Sequence, residues 1–392
     1  MADRPRTATA LVAHPGAELY GSDRVMLETV AALAGQGWRV VVAVPSVGPL
    51  VTEVQRLGAE VVVLPAPVLR KSVVRPRNLP GFVGGSATAW RRIGRLLRRV
   101  RPDVVYVSTL TVPLWIARAR AARIPVVAHV HESERQAPAV VRRAIALPLR
   151  LADRVLVNSA FSRDGLVEVV PRLAARSAVL YNGVAGPETV TEPREALADG
   201  LRVVYVGRLS PRKGVDVAVD AVAELVARGV DARLDLVGAV FTGYEWYEQQ
   251  LRDQVDALGL ADRVVFHGFR PSVWAALADA DAAVVPSRLE EPFGNTAVEA
   301  VLAARPVVVS AIGGLAEAID GVDSALAVRP DDPGALADAL QRIADDWAGF
   351  REAARTAAPV TAARYATAAY REAVAAAITG TARPARTHAL AS

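Results

Sequence analysis

Residues 201–227 read LRVVYVGRLSPRKGVDVAVDAVAELVA. The first six residues form a nearly unbroken Val-rich run, the composition of a parallel strand covered on both faces. Gly207 and Gly214 then bracket a short loop that carries Arg208 and Lys213. Residues 215–227 read as a helix. A buried strand, a glycine-bracketed loop and a helix make the opening of a parallel βαβ unit.

This unit stands where a pattern begins for the second time. Upstream, residues 7–13, 39–45, 59–64, 103–108, 125–129 and 154–158 are short Val-rich runs, separated by helical stretches such as 24–34, 50–57 and 90–100. Downstream, runs at 232–237, 264–267, 282–286 and 306–310 alternate with helices that include 247–258 and 295–303. The alternation predicts an α/β protein of two Rossmann-like, doubly wound parallel-sheet domains facing across a cleft, with ligands beyond the carboxyl ends of the strands. The boundaries expected are a first domain over 1–185, a linker over 186–200 with Gly186, Pro187 and Pro193, and a second domain over 201–360. A helix over 361–378 is expected to return to the first domain, followed by a disordered tail over 379–392.

Composition narrows the chemistry. The 392 residues are 52% hydrophobic, 22% charged and only 5% aromatic, so two ordinary cores must be built from Val, Leu and Ala. The absence of cysteine excludes disulfides, thiolate catalysis and cysteine-based zinc sites. The polar start of the chain does not read as a signal peptide, and no run approaches the roughly 18 apolar residues of a membrane span. A cytoplasmic location is the expectation, with peripheral contact at the inner face of the cell membrane as an addition. Charge supplies the reason for that addition. Residues 1–190 hold 26 Lys/Arg against 13 Asp/Glu, a balance of +13, whereas the remainder balances at −8. A basic half calls for an anionic partner.

The richest segment is VVPSRLEEPFGNTAVE, residues 284–299. A strand ends near Ser287, a loop carries Glu290 and Glu291, and a helix starts near Asn295. Gly294 leaves room for close approach of a ligand. The free N–H groups of Asn295 and Thr296, at the positive end of a helix, suit an anion such as a phosphate. Glu291 and Glu299 can accept hydrogen bonds from sugar or ribose hydroxyls. The plainer alternative is that Asn295 caps the helix and Glu299 is solvated. Arg208 and Lys213 offer the complementary chemistry: a guanidinium grips a phosphate through two parallel bonds, and an ammonium adds a point charge. A solvated basic turn is the alternative there. Neither Gly-x-Gly-x-x-Gly after an early strand nor a Walker-type phosphate loop occurs, which argues against a dinucleotide oxidoreductase or a P-loop kinase.

The segment resembles the Glu-x7-Glu signature of the retaining GT-B glycosyltransferases of family 4, the group 1 glycosyl transferases. Further stretches agree in order. Gly21-Ser-Asp-Arg24 is similar to the turn after the family's first strand. Asn158-Ser159 and Asn182-Gly183-Val184 match interdomain positions. Residues 206–214 resemble the diphosphate loop, and Ile312-Gly-Gly-Leu-Ala-Glu317 the Gly-Gly-x-x-Glu motif. The resemblance covers roughly residues 8–370. It implies a GT-B fold and transfer of a sugar from a nucleotide diphosphate sugar to an acceptor hydroxyl, with retention and without metal or other cofactor. It implies His131, Glu291, Arg208 and Lys213 as catalytic residues. For donor binding it implies Gly21, Arg208, Lys213, Phe293, Gly294, Asn295, Thr296 and Glu299. The acceptor expected is a glycan, a lipid-linked molecule or a small molecule.

Other residues need weighing beside these. In Val127-Ala-His-Val-His-Glu132, His131 closes a strand and falls at the cleft edge, while His129 points into the fold; a metal would need a third ligand that is not evident. The alternative for His131 is a surface-loop histidine. Asp23 stands where the family often has Glu, and a helix-capping role for it competes with ligand contact. Asp279-Ala-Asp281 resembles the metal motif of the other major glycosyltransferase fold, yet it precedes a strand and reads as a helix-to-strand turn. The helix over 90–100 has apolar residues at helical spacing and a basic opposite face of Arg91, Arg92, Arg95, Arg98 and Arg99, with Lys71, Arg75 and Arg77 upstream. That face suits anionic lipid, or it is a solvated surface. Nucleic acid is not expected, because no aromatic residues interleave with the arginines.

Two rivals stand beside sugar transfer: a different nucleotide-sugar enzyme on the same scaffold, such as an epimerase, or a non-catalytic nucleotide-sugar binding module. A pyridoxal-dependent phosphorylase is disfavoured, since Lys71 and Lys213 are the only lysines and neither fits.

Overall fold

The Val-rich runs form two separate all-parallel sheets. The structure, a computed structural model, describes residues 7–19, 21–69, 79–133 and 135–383. The chain divides into two units, Met1–Gly183 with Thr367–Ser392, and Val184–Ala366.

In the first unit the strands are β1 (Thr9–Ala13), β2 (Arg39–Val44), β3 (Glu60–Val63), β4 (Val104–Val107), β5 (Val126–Val130), β6 (Arg154–Val157) and β7 (Ser177–Val179). They lie in the order β3-β2-β1-β4-β5-β6-β7, with Leu11 opposite both Val41 and Val105. Strand side chains alternate between faces, and the two helical layers divide accordingly. Leu11, Val41 and Val105 face helices α3 (Leu79–Val100), α4 (Pro113–Ala121) and α5 (Ala139–Ala146). Ala10, Val12 and Val42 face α1 (Gly21–Gly35) and α2 (Pro49–Arg56). Helix α6 (Ala160–Val169) follows β6, and Ser159 caps it by accepting from Ser162 N at 3.0 Å.

The second unit repeats the plan. Its strands are β8 (Leu201–Val206), β9 (Ala232–Val237), β10 (Val264–Gly268), β11 (Ala282–Val285), β12 (Val307–Ser310) and β13 (Ala325–Val328), in the order β10-β9-β8-β11-β12-β13. The helices are α7 (Val215–Ala227), α8 (Glu245–Ala257), α9 (Trp274–Asp279), α10 (Asn295–Leu302), α11 (Gly314–Ala318), α12 (Pro333–Asp345) and α13 (Trp347–Arg364). Both sheets therefore start at a central strand, run to one edge, and return to the centre to run the other way.

The structure departs from the sequence reading in places. The helix expected over 361–378 is two helices, α13 and then α14 (Thr367–Thr379), broken at Tyr365 and Ala366. Helix α14 packs on α1 in the first unit through Tyr370, Val374 and Ile378. Residues 186–200 are part of the second unit. Arg194 Nε donates to Asp281 Oδ1 at 2.8 Å, and Trp347 Nε1 donates to the Arg194 carbonyl at 3.0 Å. Asp281 is fully buried and also accepts from Arg202 N at 2.7 Å, so Asp279-Ala-Asp281 is a structural turn. Helix α3 starts eleven residues earlier than its apolar spacing suggests, because Gly81, Gly84 and Gly85 weaken the helical signal. Strands β7 and β13 are short edge strands, partly exposed, and their apolar runs are correspondingly faint. Of the expected tail, residues 384–392 lie outside the described residues.

Candidate active site

Strand order reverses in the second unit between β8 and β11, and open α/β sheets bind ligands beyond the carboxyl ends at such a point. Residues 207–214 leave β8 there, and residues 286–294 leave β11. The two loops meet backbone to backbone. Gly214 has φ 63°, and a Cβ on it would lie 2.0 Å from the Pro286 carbonyl oxygen, so no other residue fits. Arg288 N donates to the Arg212 carbonyl at 2.9 Å, and the Arg212 guanidinium donates to the Glu290 carbonyl at 3.1 Å.

Charges converge where the loops meet. Lys213 Nζ lies 2.8 Å from Glu291 Oε1. Ser287 Oγ donates to the same oxygen at 3.0 Å, and the Arg212 guanidinium stands 3.9 Å from it. Glu291 is only 9% exposed, so the pair sits in a partly desolvated setting. Arg208 lies over the Phe241 ring, with Cζ 3.3 Å from the centroid, a cation–π contact that holds the guanidinium flat. Tyr205 Oη donates to the Arg208 carbonyl at 2.7 Å. Burial, reinforced by the Glu291 charge, pushes that phenol well above its usual range, so it remains a donor. A cavity of about 520 Å³ opens here, lined by Arg208, Ser210, Arg212, Phe241, Tyr244 and Arg288. Arg288 is already committed to Asp216 and Asp331, each at 2.6 Å.

The loop after β12 closes the arrangement. Gly314 N donates to the Glu291 carbonyl at 2.7 Å, and a Cβ on Gly313 or Gly314 would collide with the Glu291 or Pro292 backbone. Both glycines of Ile312-Gly-Gly-Leu-Ala-Glu317 therefore serve to seat this loop on the carboxylate loop. Helix α10 has Gly294 at its N-cap and no side-chain cap, and Asn295 is its first helical residue. Asn295 therefore does not cap the helix. Asn295, Thr296 and Glu299 are half-buried along its first turns. Phe293 corrects an expectation: its ring is 2% exposed and packs edge-on against Tyr365, centroids 5.4 Å apart. Its side chain belongs to the core.

The first unit carries its own polar cluster at the corresponding point, between β1 and β4. His14 follows β1; its Nδ1 is 2.5 Å from Ser108 Oγ, just past β4, and its Nε2 is 2.6 Å from Asp23 Oδ1. All three side chains are buried. The sequence analysis does not single out His14, although its place at the end of a strand was an available signal. Asp23 lies in the first turn of α1, which opens at Gly21. His131, one residue past β5, is 9% exposed, so it is no surface-loop histidine. Burial, aided by nearby His14, lowers its pKa to about 3, and neither ring nitrogen has a hydrogen-bond partner among the described residues. His129 is fully buried, with Nδ1 2.7 Å from Tyr106 Oη. Among the described residues no three His, Cys, Asp or Glu side chains are grouped as a metal-binding set.

Comparison with known proteins gives this geometry its family. The profile described as Glycosyltransferase Family 4 matches residues 20–185, and that described as Glycosyl transferases group 1 matches residues 200–346. The chain is 33% identical over 273 residues to a glycogen synthase of Mycobacterium tuberculosis, a match that spans 66% of this chain and 64% of that protein. It is 30% identical over 336 residues to the 2-deoxystreptamine N-acetyl-D-glucosaminyltransferase of Streptomyces fradiae, covering 76% of this chain and 78% of the relative. The chain thus spans less than two thirds of the length of the glycogen synthase it matches. Its fold is similar to that of Anabaena HepE solved in complex with UDP and glucose, with a TM-score of 0.80 at 22% identity over 94% of this chain and 99% of the other. Two parallel-sheet Rossmann-like units of this kind define the GT-B fold. The chain belongs to the group 1, family 4 glycosyltransferases.

Proposed function

We propose that the protein transfers a sugar from a nucleotide diphosphate sugar to an acceptor hydroxyl, with retention of anomeric configuration and without a metal ion. The observation that carries the proposal is the meeting of the loop that bears Arg208 and Lys213 with the loop that bears Glu291 at the switch point of the second unit, where Lys213 Nζ lies 2.8 Å from Glu291 Oε1. The chemistry asks for it. As the bond from the anomeric carbon to the donor phosphate breaks, the electron pair stays on the phosphate oxygen. Fixed positive groups stabilise that charge without reorganising, and stabilisation of this kind is typically the largest catalytic contribution. The acceptor oxygen bonds to the anomeric carbon on the face the phosphate leaves, and its proton passes to the departing phosphate oxygen.

In this reading Arg208 and Lys213 hold the diphosphate, and Glu291 keeps the ammonium in place. The N–H groups of Asn295 and Thr296 complete the anion site, and Glu299 accepts from the nucleotide ribose. Gly21 at the head of α1 allows close backbone approach of a donor phosphate or sugar. His131, neutral and unpartnered, is the group assigned to the reacting sugar. HepE in complex with UDP makes uridine nucleotides the first donors to try. An N-acetylglucosaminyl donor is the first sugar to try, after the name of the 2-deoxystreptamine N-acetyl-D-glucosaminyltransferase relative.

The test is a panel of nucleotide diphosphate sugars screened by thermal shift, followed by nucleoside diphosphate release with and without candidate acceptors in excess EDTA. Donor-dependent stabilisation and metal-free release are expected. Turnover lost in EDTA and restored by magnesium or manganese would overturn the metal-free mechanism. Binding without transfer to any acceptor would leave a sugar-nucleotide binding module.

A further inference from the structure

We propose that the outer surface of the layer formed by α3, α4 and α5 in the first unit docks on an anionic lipid bilayer. The three helices cover one face of the sheet and share a core through Ile93, Ile116 and Ala146. What they turn outward is unusual. Along α5 and the short turn of residues 147–151, the exposed side chains are Ala139, Val140, Arg143, Ala144, Leu147, Arg150 and Leu151, those from Val140 onward at helical spacing. Val140 is 80% exposed, Leu147 44% and Leu151 42%. A helix on a soluble surface buries its aliphatic stripe and turns charges of both signs to water. Here Ala146 and Leu149 already fill the buried stripe, and a second, outward stripe mixes aliphatic residues with arginine. No Asp or Glu occurs between residues 135 and 152.

The neighbouring helix adds charge. Arg91, Arg92, Arg95, Arg98 and Arg99 of α3 are all exposed; Arg99 feels the charge of Glu60, and none of the five lies within 4.0 Å of a carboxylate among the described residues. Residues 61–102 contain no acidic residue at all. Lys71, Arg75 and Arg77, which fall in this stretch, lie outside the described residues. Within the layer, Arg142 of α5 turns inward and is held 2.8 Å from Glu168, and Arg120 of α4 lies 3.2 Å from Asp153, so the arginines that face outward are a different set. The layer also carries two grooves of different character. One, of about 500 Å³ between α4 and the 147–151 turn, is lined by Pro113, Leu114, Leu147, Pro148 and Leu151. The other, of about 510 Å³ at the β3 edge, is lined by Arg92, Arg95 and Arg99 beside Val63, itself 48% exposed.

Aliphatic side chains interleaved with unpaired arginines match the boundary between acyl chains and anionic headgroups. Nucleic acid would use the arginines and leave the aliphatic stripe in water. A second copy of this chain would set one arginine row against another. Each arginine near an anionic membrane surface strengthens binding by about fivefold.

The experiment uses the full chain and two vesicle preparations, phosphatidylcholine alone and equal parts phosphatidylcholine and phosphatidylglycerol, at about 0.1 M and about 1 M salt, where the screening length falls from ~10 to ~3 Å. Co-sedimentation with the anionic vesicles, weakened at high salt, is expected. Leu147→Asp with Leu151→Asp should abolish it. Arg95→Ala and Arg99→Ala should each lower the affinity about fivefold. Thermal unfolding of every variant checks the fold, and the exposed α3 variants read the proposal even if the leucine pair proves unstable. Equal binding to the two vesicle types, or wild-type binding by the variants, would overturn the proposal. So would a concentration-dependent rise in mass that the leucine variant abolishes, which would make the surface a protein interface.

Discussion

Lys213 Nζ lies 2.8 Å from Glu291 Oε1, and this contact ties together the loops that leave the two central strands of the second sheet. The ammonium is thus oriented before any ligand arrives, and the buried carboxylate is satisfied twice, by Lys213 and by Ser287.

A double-mutant cycle on this pair is expected to show coupling. Lys213→Ala leaves Glu291 half-satisfied and should cost about 1–3 kcal/mol of stability. The Lys213→Ala, Glu291→Ala double variant should lose less than the two single losses together, by about 0.5–3 kcal/mol. Chemical denaturation of the four proteins checks it; strict additivity would mean that the contact contributes nothing to the fold.

Arg208→Ala is expected to slow turnover by about 100- to 1000-fold, the usual cost of removing one preorganised charge stabiliser, ~2.7–4 kcal/mol. The melting temperature should move little, since the guanidinium contacts Phe241 at the edge of an open cavity. Near-wild-type kcat would reduce Arg208 to a structural residue.

Two positions six residues apart, Phe293 and Glu299, should separate binding from packing. Glu299→Ala is expected to raise the donor Kd with the fold intact. Phe293→Ala should instead cost about 3–5 kcal/mol of stability, as for other buried aromatic truncations, because its ring packs on Tyr365. Isothermal titration and thermal unfolding distinguish the two; an unchanged donor Kd in Glu299→Ala would remove the ribose assignment.

His131 should make the fold acid-sensitive. Its folded pKa is about 3 against an ordinary 6.5, because burial disfavours the cation. Above pH 6.5 the group is neutral in both states and costs nothing. Below it the unfolded chain binds the proton first, so stability falls by about 1.4 kcal/mol per pH unit until the folded group protonates near pH 3. His131→Asn should flatten that slope between pH 6.5 and 4.5 in pH-dependent denaturation, and an unchanged slope would show that His131 is hydrated.

The strands, the restart of the pattern at residue 201 and the charged loop of Arg208 and Lys213 were legible in the sequence. Short, β-branched Val runs bounded by turn residues read as buried parallel strands, and glycines flanking charges mark a turn. The sequence also carried the motif around Glu291 and Glu299 and the basic character of the first half. Pairing across loops was decided by the tertiary structure. Lys213 meets Glu291, and His14 meets both Asp23 and Ser108, because strand order sets β8 beside β11 and β1 beside β4, a choice no local pattern encodes. The inward turn of Phe293 and the capture of residues 186–200 by Asp281 have the same origin. Local residues determine which segments are strands, loops and helices; which side of a loop faces the core depends on what the rest of the chain packs against it.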